Sequence, residues 1–206
     1  MPISTIWSQA WQKFWNKNWL VGLLLALAIF LFSLIPVVGI IVSFIIGVAL
    51  NYYGLQVWRS DSPVEFSQVF PPLIAYVKIL VGLVVVGLIP GLILLIVYLT
   101  DGGLSVTASF VLGALLLLFL MVVFYFFSYF VLERDAGIGE ALRGALAILL
   151  QNPGKSILFI LTLLLVHFLG ILALGVGTLL TTPLASIGGA GFYLTHRLDA
   201  TSPKLT

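Results

Sequence analysis

Residues 19–58 read WLVGLLLALAIFLFSLIPVVGIIVSFIIGVALNYYGLQVW. This run holds no Asp, Glu, Lys or Arg from end to end. A helix in a soluble domain keeps a polar face for water, and neither half of this stretch has one. Hydrocarbon asks for no such face, and an α-helix closes its backbone hydrogen bonds within itself. Pro36 and Gly39 in "IPVVG" break the run. The stretch therefore predicts two spans, Trp19–Ile35 and Val37–Trp58, folded into a hairpin. A span needs roughly 17–25 apolar residues to cross a ~30 Å core, so the first is short.

Working outward, four more apolar runs follow: Leu73–Thr100, Leu104–Leu132, Ile157–Leu174 and Thr178–Leu194. The expected fold is all-α: a polytopic membrane protein of about six transmembrane helices in three pairs. Composition agrees, with 62% hydrophobic and 8% charged residues. Soluble chains carry about 25% charge. There are no cysteines, which excludes a disulfide frame, a thiol nucleophile and a cysteine metal site. A net charge of +2 gives no reason to expect a nucleic-acid partner.

The charges set the expected orientation. The bases are Lys13, Lys17, Arg59, Lys78, Arg134, Arg143, Lys155, Arg197 and Lys204. With six spans all of them fall on the side of both termini, and Asp101 is the one charge opposite. Lys and Arg mark the cytoplasmic side. Both termini, residues 59–72 and residues 133–155 are thus expected in the cytoplasm, with Lys78 snorkelling back to the surface.

Three amphipathic segments precede the three pairs. In residues 1–18, Trp7, Trp11, Trp15 and Trp19 recur every four residues, with Gln9, Gln12, Lys13 and Asn16 largely away from them. Indole and lysine suit the headgroup layer, so this reads as an interfacial helix. In "SPVEFSQVF", Ser62, Pro63 and Glu65 have the spacing of a capping box, predicting a surface helix over 62–70. Residues 136–152 form the third. The expected layout is a single membrane domain: helix 1–18, hairpin 19–58, helix 62–70, hairpin 73–132, helix 136–152, hairpin 156–197 and tail 198–206. Pro90-Gly91 is expected to kink the third span. "FYFFSYF", residues 124–130, reads as an interfacial aromatic belt.

Laying Lys17 on Lys155, with no gap, also brings Gly39 onto Gly177, Ser43 onto Thr181, Arg59 onto Arg197 and Asp61 onto Asp199. The two outer hairpins then form a parallel repeat.

"YFVLERDAGIGEALRGALAILLQNPGK", residues 129–155, carries a resemblance through Glu133, Gly137, Glu140, Ala141, Leu142 and Arg143. The chain resembles the membrane domain found with glycerophosphoryl diester phosphodiesterases, and related bacterial six-helix membrane proteins. The resemblance implies a lipid-proximal helper role in a bacterial cytoplasmic membrane. It does not bring the phosphodiesterase activity, because no such domain is attached.

Small residues supply a candidate packing seam: Gly39, Ser43, Gly47 and Gly54 on one helix, Ala185 and Gly189 on another. Asn51, Tyr52, Tyr53, Gln56 and Tyr193 form a candidate polar cleft near the cytoplasmic mouth. His167 stands alone among titratable groups at its depth. A proton relay or a metal site needs more such groups. The expected role of His167 is therefore structural, bonded to a hydroxyl or carbonyl of a neighbouring helix, with Thr162, Thr181, Thr182 and Ser186 as candidate partners. No catalytic or metal-binding motif appears, and no cofactor is expected. The primary expectation is a non-enzymatic scaffold, assembly factor or accessory subunit. Its partners would be membrane lipids, and another membrane protein or a second copy met through the small-residue faces. The alternative is a carrier or flippase for a lipid or other amphiphile.

Overall fold

The structure is a computed structural model that describes residues 1–36, 38–100, 106–173 and 176–201. Eight α-helices account for nearly all of these: α1 Ile3–Lys13, α2 Trp19–Ser33, α3 Val38–Arg59, α4 Leu73–Thr100, α5 Val106–Arg134, α6 Ile138–Gln151, α7 Pro153–Leu172 and α8 Gly177–Thr201. Among the described residues there is no strand. Among the described residues four stretches are long and apolar enough to cross a membrane: Ile3–Ser33, Val38–Arg59, Gly113–Arg134 and Pro153–Leu172. Asp101 and Lys204 lie outside the described residues. The chain stays helical through Pro90 and Gly91.

Helix ends follow local chemistry. Pro153 opens α7 at its first turn, where a missing N–H costs nothing. Glu140 sits in the first turn of α6, matching the positive end of the helix dipole. Asp135 turns the chain between α5 and α6 at φ 52°, a left-handed conformation that a short Asp tolerates. That reversal lays α6 back on α5, and Gly144 comes against the ring of Phe130.

Two expected surface helices change character. Residues 1–18 are part of the packed core. Ile6, Ala10 and Phe14 are fully buried, and α1 runs through a π-helical segment, Phe14–Asn18, straight into α2. Trp7 stacks on Phe159 at 5.8 Å and donates its indole N–H to Thr162 Oγ1 at 3.2 Å. Only Trp11, Trp15 and Trp19 of the stripe stay outside. The buried stripe is the adjacent one, a single residue earlier on the helix wheel, and aromatic spacing alone does not choose between them. The second segment, 62–70, shortens to one 3₁₀ turn, Phe66–Gln68. The Ser62 capping box does not form. Instead Ser62 N–H donates to Ser60 Oγ, and Val64 N–H donates to the buried Asn18 side chain, each at 3.0 Å. Pro71 and Pro72 bar any extension.

The most extensive helix pairing is α3 with α8. A side chain at Gly54 would collide with the Ser186 carbonyl, and one at Gly191 with the Trp58 ring. Trp58 Nε1 donates to the Ile187 carbonyl at 2.5 Å across the same crossing. Around it lies an aromatic core in which Phe126, Phe127, Tyr129, Phe130, Phe159, Phe192 and Tyr193 are nearly inaccessible. "FYFFSYF" is therefore core, not an interfacial belt. In hydrocarbon the apolar effect does not sort helices, so close backbone approach and ring packing do.

Candidate functional site

At the centre of the bundle is a cleft of about 300 Å³. α3 supplies Ser43, Gly47 and Asn51; α5 supplies Tyr125 and Ser128; α7 supplies His167; α8 supplies Thr182, Ala185 and Ser186. Ile29, Phe44, Val48, Leu50, Ile79 and Phe124 make the apolar walls. No lining residue is charged.

Small residues create the space. Nothing lies within 4 Å of where a side chain on Gly47 would begin. The expected seam thus divides into separate jobs. Gly39 closes the α2–α3 turn against the Phe32 carbonyl. Ser43, Gly47 and Ala185 line the cleft, and Gly54 lies against the Ser186 backbone in the α3–α8 contact. Gly189 admits the tyrosines of α5: Tyr125 donates to the Ala185 carbonyl at 3.0 Å and Tyr129 to the Ser186 carbonyl at 2.9 Å. Regular spacing gives one stripe, but α2, α3, α5 and α8 each claim part of it.

A hydrogen-bonded chain runs along the polar wall. Asn51 Nδ2 donates to Ser128 Oγ at 3.3 Å, Ser128 donates to the Tyr125 carbonyl at 2.8 Å, and Asn51 Oδ1 lies 3.3 Å from the Tyr129 hydroxyl, whose proton goes to the Ser186 carbonyl. Of the five expected cleft residues, the cleft includes Asn51. Tyr53 is buried on another side of α3, where its hydroxyl donates to the Asn18 carbonyl at 2.7 Å. Tyr193 stacks on Tyr129 and donates to Glu133. Tyr52 and Gln56 are half-buried outside the lining.

His167 bonds within its own helix, with Nδ1 3.0 Å from the Leu163 carbonyl. The neighbouring-helix partner expected from the sequence is replaced by the carbonyl one turn back, the nearest acceptor to a ring on a helix. A carbonyl only accepts, so Nδ1 carries the proton, and in the tautomer with no second ring proton Nε2 is an acceptor. Of the other candidate partners, Thr162 donates to the Phe159 carbonyl at 2.7 Å, and Ser186 to the Thr182 carbonyl at 3.3 Å.

The charged groups gather elsewhere, where α3, α5 and α8 end. The Glu133 side chain is only 2% exposed. It accepts from Arg59 at 2.5 Å, pairs with Arg197, lies 3.8 Å from Arg134 Nε and accepts from the Tyr193 hydroxyl. Lys78 donates to the Asp135 carbonyl and carboxylate, both at 2.7 Å. Sequence reading passed over Glu133 as a site. The available signal was that Arg59 and Arg197 hold equivalent places in the two outer hairpins, so that one acid between them is enough for both. Among the described residues no cluster of metal-ligating side chains occurs.

Comparison with protein-family models, curated proteins and solved structures finds no match.

Proposed function

We propose that this is a non-enzymatic integral membrane protein of six spans in three pairs, in a bacterial cytoplasmic membrane, with both termini inside. Its two outer hairpins are a parallel repeat, and its central cleft takes a neutral amphiphile. The observation that carries the binding role is the cleft itself. Its volume is at the low end of ligand sites, which run roughly 300–1,000 Å³. It holds a head and the start of a chain, with the rest of the chain in lipid.

The head is neutral because an ion at that depth needs a counter-charge, and Lys78 is the single charged residue in the six apolar runs. Asn51, Ser128 and the His167 Nε2 acceptor suit a hydroxyl or ester. The reading is that of a carrier, or of an accessory module that responds to lipid. The similarity to the phosphodiesterase-associated membrane domain supports a lipid-proximal role in outline.

Gly47→Leu tests the cleft, because nothing lies within 4 Å of its Cβ and the rest of the side chain takes up cleft volume. Wild-type protein in nanodiscs containing monoacylglycerol should retain it in native mass spectrometry, and Gly47→Leu should lose it. Gly87→Leu, at an exposed open position on α4, should behave as wild type. Equal retention by Gly47→Leu overturns the amphiphile reading and leaves a scaffold. Orientation is tested by cysteines at Ser60, Gly102 and Ser202 with an impermeant thiol reagent on intact cells. Labelling is expected at position 102 only, and labelling at 60 or 202 contradicts the topology.

A further inference from the structure

We infer a second binding site, distinct from the cleft, in which Arg59 and Arg134 hold the phosphate of an anionic lipid at the charged end of the bundle. It depends on the protein lying in a membrane, but not on what the cleft binds.

Three guanidiniums converge on one carboxylate. Each has five N–H donors, whereas a carboxylate offers roughly four acceptor positions. The Glu133 side chain is 2% exposed, while those of Arg59, Arg134 and Arg197 are 42%, 31% and 26% exposed. Arg59 and Arg134 therefore turn part of their forks to Glu133 and keep part exposed. Even with Arg197 set aside, Arg59 and Arg134 bring two positive charges to one negative charge. Burial and then the nearby Arg59 charge both lower the Arg197 pKa from its ordinary value, the second a sign of like charges held together.

The fixed parts keep these forks in place. Tyr193 donates to Glu133 and stacks on Tyr129, and Arg134 lies over the Phe130 ring at 5.7 Å. Planar guanidiniums recognise phosphate oxygens in pairs. The depth selects a lipid as the source. Arg59 and Glu133 directly follow the apolar runs of α3 and α5, and Arg197 lies three residues past that of α8; a span ends where headgroup phosphates begin.

The test is native mass spectrometry of the full chain released from nanodiscs of phosphatidylcholine and phosphatidylglycerol in equal parts. Wild-type protein should retain phosphatidylglycerol over phosphatidylcholine by about tenfold. Arg134→Gln is the primary variant, because Arg134 stands furthest from Glu133 and its loss disturbs the ion pair least. It should lower that preference several-fold. Arg143→Gln, on the exposed face of α6, should leave it unchanged. No preference in wild type, or an undiminished one in Arg134→Gln, overturns the site. Displacement of phosphatidylglycerol by free glycerol 3-phosphate as effectively as by added lipid overturns the lipid source and assigns a soluble phosphate ester.

Discussion

Gly39 closes its turn against the carbonyl of Phe32, and Gly177 closes its own against the carbonyl of Gly170. In the alignment that lays Lys17 on Lys155, Gly177 falls on Gly39 and Gly170 on Phe32. Arg59 and Arg197, matched by the same register, reach the same carboxylate. Asn18 and Ser156 are both buried polar residues near the start of the first helix of each hairpin. The outer hairpins thus agree at their turns and at their charged ends. They differ where they meet. Tyr53 and Trp58 on α3 correspond to Gly191 and His196 on α8, and the Trp58 ring lies over Gly191. The lesson is physical: two like surfaces facing each other cannot both be bulky, so one helix supplies the ring and the other the gap.

That contrast between seam and cleft is broken most directly at Gly54. Gly54→Leu drives a side chain into the Ser186 backbone and should cost about 3 kcal/mol or more, enough to lose folded protein in detergent. Gly47→Leu, two helical turns away, should leave the melting temperature nearly unchanged. If both variants melt alike, seam and cleft are not separate surfaces.

The shared charged end ranks second. Glu133→Gln leaves three arginines around an uncharged amide. Because the arginines are partly exposed, the expected loss is about 2 kcal/mol, below that of a fully buried pair. Asp135→Asn, in the exposed pair with Lys78, should lose under about 1 kcal/mol. Thermal unfolding of the two variants side by side checks the ranking, and the reverse order removes Glu133 as the point where the hairpins join.

α1 and its counterpart α6 provide a third comparison. Trp7→Ala removes a ring stacked on Phe159 and a bond to Thr162, and should reduce hydrogen-exchange protection in α7 as well as α1. Trp11→Ala, on an exposed residue, should not. Protection lost in α1 alone would return that segment to the surface.

The smallest effect is expected at His167. Membrane hydrogen bonds average about 0.6 kcal/mol and reach roughly 1.7. His167→Leu should therefore unfold within about 1 kcal/mol of wild type, yet weaken retention of a hydroxyl-headed amphiphile. Unchanged retention would remove Nε2 from the cleft's function.

Much of this was legible in residues 19–58 and in the runs like them. Apolar length with no charge reads as helix in lipid, and Pro36 with Gly39 reads as a turn. The cleft was legible only through Asn51 and the isolated His167. Ser128 and Tyr125 were hidden in an aromatic run that resembles a belt, because a tyrosine at the interface and a tyrosine in a core have the same sequence signature. Ser62 shows the opposite failure. Its cap was correct as a local pattern, but Asn18, far back in the chain, bonds the Val64 N–H that a helix there would have left free.

By itself the sequence determined that the chain is helical and apolar, and that Pro36 and Gly39 mark a turn. Each of these follows from composition and period within a single segment. Only the tertiary structure decided which small residues make a contact and which make a space. Gly47 and Gly54 lie on one helix and are identical in sequence terms. One faces a backbone carbonyl and the other an open cleft, because the neighbouring helices cross at Gly54 and diverge by Gly47.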